Sequence, residues 1–459
     1  HWLNQQLGNI GETVTFTAAT VAQGPAGALA GEVDALVILG GNPVYDAPAD
    51  LNFAERLKKI PLTIHLGVDV NETARLAKWH LPEVHFLEAW GDVRAADGTV
   101  SIQQPMIQPL YDGKTASEVL ALIAGYKDRR AYDIVRGYWM AMWPAAESEK
   151  RWRKALHDGV IEGTKPAEVK PTLRWSPAQF PSRAREQAVE LTFHPSWNTW
   201  DGRYANNGWM QEAPDPMTKL TWDNAALVSA ATARALNIET GDVIRLDRAG
   251  RQVEVPAMVM PGQADNSIAL ALGYGRKAVG RVGRGVGSDV NPLRTTGSMW
   301  IASGVKVTRT GRKHKLVSTQ EHHSMEGRPL VREATLEEYK KEPHFAGKPD
   351  AKVQLFSLYQ EHQYDQGNQW GMVVDLNACI GCNACVVACQ AENNIPIVGQ
   401  DQVARGRAMH WIRLDRYFNG PPEDPRAVVQ PVACMQCENA PCESVCPVAA
   451  TSHSAEGLN

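Results

Sequence analysis

Eight cysteines, all within the last 81 residues, constrain this 459-residue chain more than any other feature. Cys379, Cys382, Cys385 and Cys389 follow C-x2-C-x2-C-x3-C, and Cys434, Cys437, Cys442 and Cys446 follow C-x2-C-x4-C-x3-C with Pro447 closing the run. Runs of this type give three cysteines to one iron–sulfur cubane and the fourth to another. Two of them point to paired 4Fe-4S clusters and to electron transfer, with all eight cysteines as metal ligands. Gly381 permits close backbone approach to the sulfurs, and Asn377, Gly381, Asn383 and Gln436 are candidates to tune a cluster by hydrogen bonding, beside a plain role in loop geometry. The stretch VVACQAENN reads as a helix that carries Cys389 one turn beyond Cys385 and away from the first cluster. Two blander readings are a zinc scaffold, whose cysteines come as separated pairs, and a disulfide framework, which belongs to small loop-rich domains. Neither suits four closely spaced thiols in a chain whose first cysteine is residue 379.

Charge argues against nucleic acid as a partner. From Gly371 to Asn459 nine Asp or Glu stand against five Arg and no Lys, so this part carries the whole net charge of −4. Cluster thiolates would deepen that charge, whereas nucleic-acid binding needs a basic face. A positively charged electron partner fits it, as does an ordinary scatter of surface carboxylates. No apolar run is long enough to span a bilayer. The chain opens at His1 and soon enters GEVDALVILGGNPVYD, which reads as the middle of a domain, so a missing N-terminus is expected.

Four segments are expected. Residues 1–164 read as alternating α/β: DALVIL is a buried parallel strand, Gly40 to Pro43 a turn that could meet a nucleotide-like group or simply join strand to helix, and PLTIHLGV a second strand. TASEVLALIAGY and ESEKRWRKALHDG are helical. His80, His85 and Glu88 lie close in sequence but lack a metal-binding pattern, and Pro82 interrupts them. Pro-rich punctuation from Lys165 to Pro181 opens residues 165–305, where VELTFHP, DVIRLDRAG, RQVEVPAMVMPG and SIALALGYG suit a β-barrel and ATARALNI a helix. GYGRKAVGRVGRGVG reads as a flexible surface loop with a faint anion-cradle look. Residues 306–370 read as an extended connector in which the neighbours His322 and His323 are poorly placed as ligands. Residues 371–459 hold the cysteines. There HWIRLDRYFNG alternates as a strand, with Trp411 and Tyr417 as packing aromatics.

Taken together these pieces resemble the large iron–sulfur subunit of alternative complex III, a bacterial quinol-oxidising membrane complex. The likeness rests on VILGGNPVYDAPAD, NETARLAKWHLPEVHFLEAWGD and GTVSIQQPMIQPLYDGKTASEVL in the first part, and on NNGWMQEAPDPMTKLTWDNAALVSAATARALNIETGDVIRL, similar to the pterin-dinucleotide domain of molybdenum enzymes. HHSMEGRPLVREATL, DLNACIGCNACVVACQAENNIPIVG and CMQCENAPCESVCPVAATSHSAEGLN complete it. The resemblance implies a multidomain α/β plus β-barrel, molybdopterin-oxidoreductase-like, followed by an α+β ferredoxin-like iron–sulfur domain.

It also implies an electron-relay role in a hetero-oligomeric complex: integral membrane quinol-oxidising subunits upstream, c-type cytochrome subunits downstream, and a seat on the periplasmic face of the cytoplasmic membrane. Molybdopterin is expected to be absent and the fold to serve as scaffold. The rival reading is a molybdenum oxidoreductase with its own fused clusters. The family carries four cysteine motifs where this chain has two, so truncation is expected. By the family's pairing Cys379, Cys382 and Cys385 serve one cluster, Cys389 a second, Cys434, Cys437 and Cys442 a third, and Cys446 a fourth. If the eight instead suffice by themselves, Cys446 completes the first cluster and Cys389 the other, as in a two-cluster ferredoxin. One centre of the full subunit could be of the 3Fe-4S type. No catalytic residue is expected on this chain.

Overall fold

The computed structural model describes residues 2–18, 33–127, 130–170, 189–347, 364, 367–368 and 371–459. Most of the Pro-rich stretch ending at Pro181, and the end of the connector, lie outside these residues. The chain divides into two compact units, residues 1–187 and 188–459. The expected boundary at 164/165 falls inside the first unit, where Glu168–Val169 pairs with Phe16–Thr17. Those expected at 305/306 and 370/371 fall inside the second.

In the first unit the apolar run after Asp34 forms β1 (Ala35–Leu39), which pairs in parallel with β2 (Leu62–Gly67). Helix α1 (Phe53–Lys59) connects them and buries Phe53 and Leu57. A third parallel strand, β3 (Trp79–Pro82), joins β2. Its sequence, WHLP, is too short to alternate visibly; beside the backbone ladder, His80 Nδ1 lies 3.1 Å from His65 Nδ1. His65 Nε2 faces the Gly41 carbonyl at 3.1 Å and so carries the ring proton, leaving Nδ1 to accept from His80. Burial holds the His65 pKa below its ordinary value.

The turn after β1 is closed by its own chain. Gly40 and Gly41 adopt φ of +73° and +77°. The Gly41 carbonyl also accepts from Asn71 Nδ2 at 3.0 Å, and Asn42 Oδ1 accepts from the Thr73 amide at 3.1 Å and its hydroxyl at 2.8 Å. Spent in this way, these groups make a strand-to-helix turn. His85 and Glu88 form a capping box on a single turn, Phe86–Glu88, so they do not converge with His80.

An antiparallel sheet of β4 (Gly91–Arg94), β5 (Val100–Gln103) and β6 (Val160–Ile161) completes this unit. It packs with α2 (Ala131–Met142) and α3 (Ala145–Asp158), whose Val135, Trp139, Trp152 and Ala155 meet Val100, Ile102 and Ile161. Trp139 Nε1 donates to Asp92 Oδ2 at 2.7 Å, which satisfies its only polar atom. Helix α3 ends where Gly159 takes φ +72°.

The second unit is built on a closed barrel of β7 (Val189–His194), β8 (Ala226–Val228), β9 (Asp242–Arg248), β10 (Arg251–Val259), β11 (Ser267–Ala271) and β12 (Ile301–Lys313), in the order β8-β10-β9-β12-β7-β11. Alternation in β9 and β10 points Ile244, Leu246, Val253, Val255 and Ala257 inward against Leu191, Ile268 and Leu270. The β9–β10 turn, Ala249-Gly250, uses positive φ at both residues, as a two-residue hairpin requires. Helix α4 (Ala230–Leu236) starts at Ser229, whose hydroxyl accepts from the Thr232 amide at 3.0 Å. Strand β12 carries the barrel on to Lys313, past the change in composition at Lys306.

The glycine- and arginine-rich stretch after β11 is not a loose surface loop, contrary to expectation. Arg276 is buried and donates to the Gly202 carbonyl at 2.6 Å, and a Cβ at Gly283 would lie 2.3 Å from the Ala205 carbonyl oxygen. Gly283 presses on the Ala205 carbonyl, and a Cβ at Gly280 would meet the Asn206 side chain at 2.5 Å.

The cysteine-bearing part contributes α5 (Ala384–Glu392), the hairpin β13 (Ile412–Asn419) and β14 (Arg426–Ala433), and α6 (Pro441–Ser444). It is tied to the barrel side by a buried carboxylate. Glu212 accepts from the amides of Val398 at 3.1 Å and Gly399 at 2.8 Å and from Trp222 Nε1 at 3.1 Å. Trp209 Nε1 donates to the Ile395 carbonyl at 2.9 Å, and Trp222, Val317 and Val403 form a small core there.

Candidate metal centre

The first cysteine loop is shaped by its neighbours before any metal is considered. Asp375 turns the backbone: its carboxylate accepts from the Asn377 amide at 2.9 Å and its carbonyl from the Cys379 amide at 3.0 Å. Two left-handed residues, Gly381 (φ +70°) and Asn383 (φ +63°), flank Cys382 and curl the loop into α5. At Gly381 a Cβ would approach Val429 Cγ2 to 2.9 Å, so the glycine is required by packing as well as by φ. Asn383 is buried and donates to the Pro214 carbonyl at 2.6 Å.

Both Cys385 and Cys389 lie on α5, four residues apart. Helix geometry puts such residues on one stripe, a turn apart. Cys389 thus stands about one turn beyond Cys385 along the helix, the displacement expected from the sequence. Asn393 Nδ2 stands 3.7 Å from Cys389 Sγ and donates to the Cys389 carbonyl at 2.9 Å.

Directly after β14 comes the second loop. Gln436, at φ +50°, directs its amide to Cys434 Sγ at 3.4 Å. Pro441 starts α6, which presents Cys442, and Cys446 follows it. The Ala450 amide reaches Cys446 Sγ at 3.2 Å, and backbone N–H groups of Ala450 and then Val448 hold this thiol below its ordinary pKa. His453 bonds the Cys437 carbonyl at 3.1 Å. Of the four expected tuning positions, Gln436 alone has its amide on a sulfur, while Asn377, Gly381 and Asn383 shape the loop. Sequence reasoning missed Asn393 and Ala450; for Asn393, its position just past the helix was the available signal.

All eight cysteines are free thiols, five of them exposed and three half-buried. Among the described residues no three His, Cys, Asp or Glu side chains are grouped as one metal ion would need. The sulfurs are displayed on two loops rather than gathered. Around them stand exposed apolar side chains, including Met372, Val373, Ile380, Met435, Val445 and Val448, each more than 70% exposed. The donor set fits iron–sulfur clusters in its chemistry: soft thiolates in ferredoxin spacing, with N–H groups already directed at three sulfurs, Cys389, Cys434 and Cys446. His322 pairs with Glu326 at 3.5 Å, whereas the carbonyl of His323 receives the Phe418 amide at 2.8 Å, so the two histidines serve different partners. Trp411 precedes β13 and is exposed, and Tyr417 lies within the strand.

Comparison with known proteins agrees with this division of labour. Residues 378–450 match the family of 4Fe-4S dicluster domains. The iron–sulfur cluster-binding subunit of menaquinone reductase from Nitratidesulfovibrio vulgaris is 46% identical over 90 residues, 19% of this chain and 35% of that protein. A subunit of polysulfide reductase from Wolinella succinogenes is 38% identical over 94 residues, 20% of this chain and 43% of that subunit. The molybdopterin-binding-like subunit of the same menaquinone reductase is 25% identical over 323 residues, 65% of this chain and 44% of its own. Acetylene hydratase from Pelobacter acetylenicus superposes with a TM-score of 0.41 at 16% identity, covering 60% of this chain and 44% of that structure. The chain thus spans less than half the length of each of these relatives. It joins a molybdopterin-oxidoreductase-like region, including a β-barrel, to a C-terminal 4Fe-4S ferredoxin-type domain.

Proposed function

We propose that this chain is an iron–sulfur electron-relay subunit of a membrane-bound quinol:acceptor oxidoreductase of the alternative complex III type. The observation that carries the reading is the fusion itself: one polypeptide resembles both the cluster-binding and the molybdopterin-binding-like subunits of one menaquinone reductase. Cys379, Cys382, Cys385, Cys389, Cys434, Cys437, Cys442 and Cys446 would hold the clusters. When bound, such clusters pass single electrons without making or breaking substrate bonds. The chain's own residues position the sulfurs and supply N–H donors at Gln436, Asn393 and Ala450, while Asn383 and Gln390 are buried along α5.

In this proposal the partners are integral membrane subunits that oxidise quinol and c-type cytochrome subunits that take the electrons, on the periplasmic face. Among the described residues no helix is long and apolar enough to cross a membrane. The barrel region serves as scaffold without molybdopterin. A second reading, a molybdenum oxidoreductase with fused clusters, draws on the relative whose name includes molybdopterin-binding-like. Metal analysis of the purified complex with paramagnetic resonance during a redox titration decides between them. Iron with cluster signals and no molybdenum is the expected result. Molybdenum near one per polypeptide moves the proposal to the second reading, and colourless, zinc-loaded protein overturns both.

A further inference from the structure

Two cations are buried with no ion pair among the described residues. Lys219 is 1% exposed and Arg416, in β13, is 0% exposed. Lys219 Nζ, Arg416 Nε and Nη1, and His323 Nδ1 have no hydrogen-bond partner among the described residues. Their position is fixed from three directions. The Lys219 amide donates to the Asp215 carbonyl at 3.0 Å and the Thr319 amide to the Lys219 carbonyl at 3.1 Å. Gln320 brackets the Arg416 backbone, accepting from its amide at 2.8 Å and donating to its carbonyl at 2.7 Å. The guanidinium lies 4.0 Å from the Phe418 ring centroid and donates through Nη2 to the Met217 carbonyl.

The two acids that act on these cations hold other partners. Asp215 accepts from the amides of Met217 at 3.0 Å and Thr218 at 2.8 Å, and Asp415 is paired with Arg413 at 3.0 Å. Burial and then Arg416 push the Lys219 pKa down to about 8, with Asp215 and Asp415 opposing, and burial lowers Arg416 to about 10. An unpaired buried charge is among the costliest features a fold can hold, and it is normally neutralised or matched by an opposite charge.

An opposite charge would arise one strand away. Val429 is the cross-strand partner of Arg416, and opposite residues of an antiparallel pair share a face. Gly381, between Cys379 and Cys382, packs on that Val429 side chain. Asn383, between Cys382 and Cys385, bonds the Pro214 carbonyl at 2.6 Å, immediately before Asp215. Val429 is therefore the shared neighbour of Arg416 and of the first cysteine loop, on one face of the β13–β14 hairpin.

We propose that Lys219 and Arg416 are positioning residues that balance the negative charge of the thiolates and cluster held by Cys379, Cys382 and Cys385, and so raise the reduction potential of that one centre. This rests on the iron–sulfur reading above. The test is a redox titration of the holo-complex, followed by paramagnetic resonance, for wild type, Lys219→Met and Arg416→Met, with Lys219→Gln as a milder change should Met disturb folding.

The expected result is that one centre shifts to lower potential by about 59 mV, a tenfold change in its one-electron equilibrium, while the others stay in place. Iron content should be unchanged, and the discriminating readout is the potential, because loss of a merely structural contact would leave potentials alone. A shift shared by all centres, or none with iron retained, overturns the proposal. So does one inorganic anion per polypeptide released on denaturation, since that anion would then balance the charge. Wild-type protein without iron removes the functional reading and this inference together, whereas iron-loaded protein whose potentials ignore Lys219 removes the inference alone.

Discussion

Within the second unit the barrel and the cysteine-bearing part solve the same problem in opposite ways. In the barrel the strands close on themselves, and residues such as Leu191, Ile244, Leu246, Ile268 and Leu270 are fully buried. Around the cysteine loops Val373 is 94% exposed and Ile380 80%, and the backbone turns through left-handed residues at Gly381, Asn383, Gln436 and Ala449. The barrel derives its stability mainly from apolar burial. The cysteine loops bury little and are shaped by turns, which suits a region whose order comes from what its sulfurs bind.

That contrast can be broken most forcefully in the barrel. Leu270→Ala, at a fully buried site, is expected to cost about 2–5 kcal/mol in chemical unfolding while leaving iron per folded molecule unchanged. Parallel loss of iron and fold would mean that the two parts are not energetically distinct. Next in size is the seam between them. Glu212→Ala strands the amides of Val398 and Gly399 and should cost about 3 kcal/mol, seen as faster hydrogen exchange at residues 395–403 while the β9–β10 hairpin stays protected.

A pH comparison sharpens the same picture through Lys219. Its folded pKa, about 8, lies below the ordinary 10.5. Below pH 8 the lysine is protonated in both states and the burial penalty is complete. Between about 8 and 10.5 the unfolded state keeps a proton that the folded state has released, so stability rises with pH and the penalty fades. Urea unfolding of iron-free wild type and iron-free Lys219→Met, where no cluster offsets the lysine, should therefore differ by about 2 kcal/mol at pH 7 in favour of the variant, narrowing towards pH 10. A constant difference across that range would place the penalty elsewhere. The smallest expected effect is Gly381→Ala, about 1–2 kcal/mol from its positive φ and the Val429 contact, which should lower iron retention before it lowers the melting point of the barrel.

Much of this was readable from local pattern. Alternation in DVIRLDRAG and RQVEVPAMV, the capped start of ASEVLALI after Thr115 and the cysteine spacing all depend on neighbours in sequence. What escaped depends on distant partners. Strand β3 is recruited by a parallel ladder to β2, with His80 beside His65, and the arginine–glycine stretch packs against Asn206 and Ala205. Lys219 is the clearest case. A lysine just after a turn reads as solvated by default. Only the approach of β13, almost two hundred residues later, buries it beside Arg416.

The Glu212 carboxylate has a further consequence. With the amides of Val398 and Gly399 and the Trp222 indole converging on it, the stretch beyond α5 is unable to swing outward without abandoning an anion in an oily pocket. Any redox centre anchored on that helix is then fixed in place like a wire soldered to its chassis. Hopping distances would be set at folding, and electrons would have to arrive and leave through surfaces that come to it.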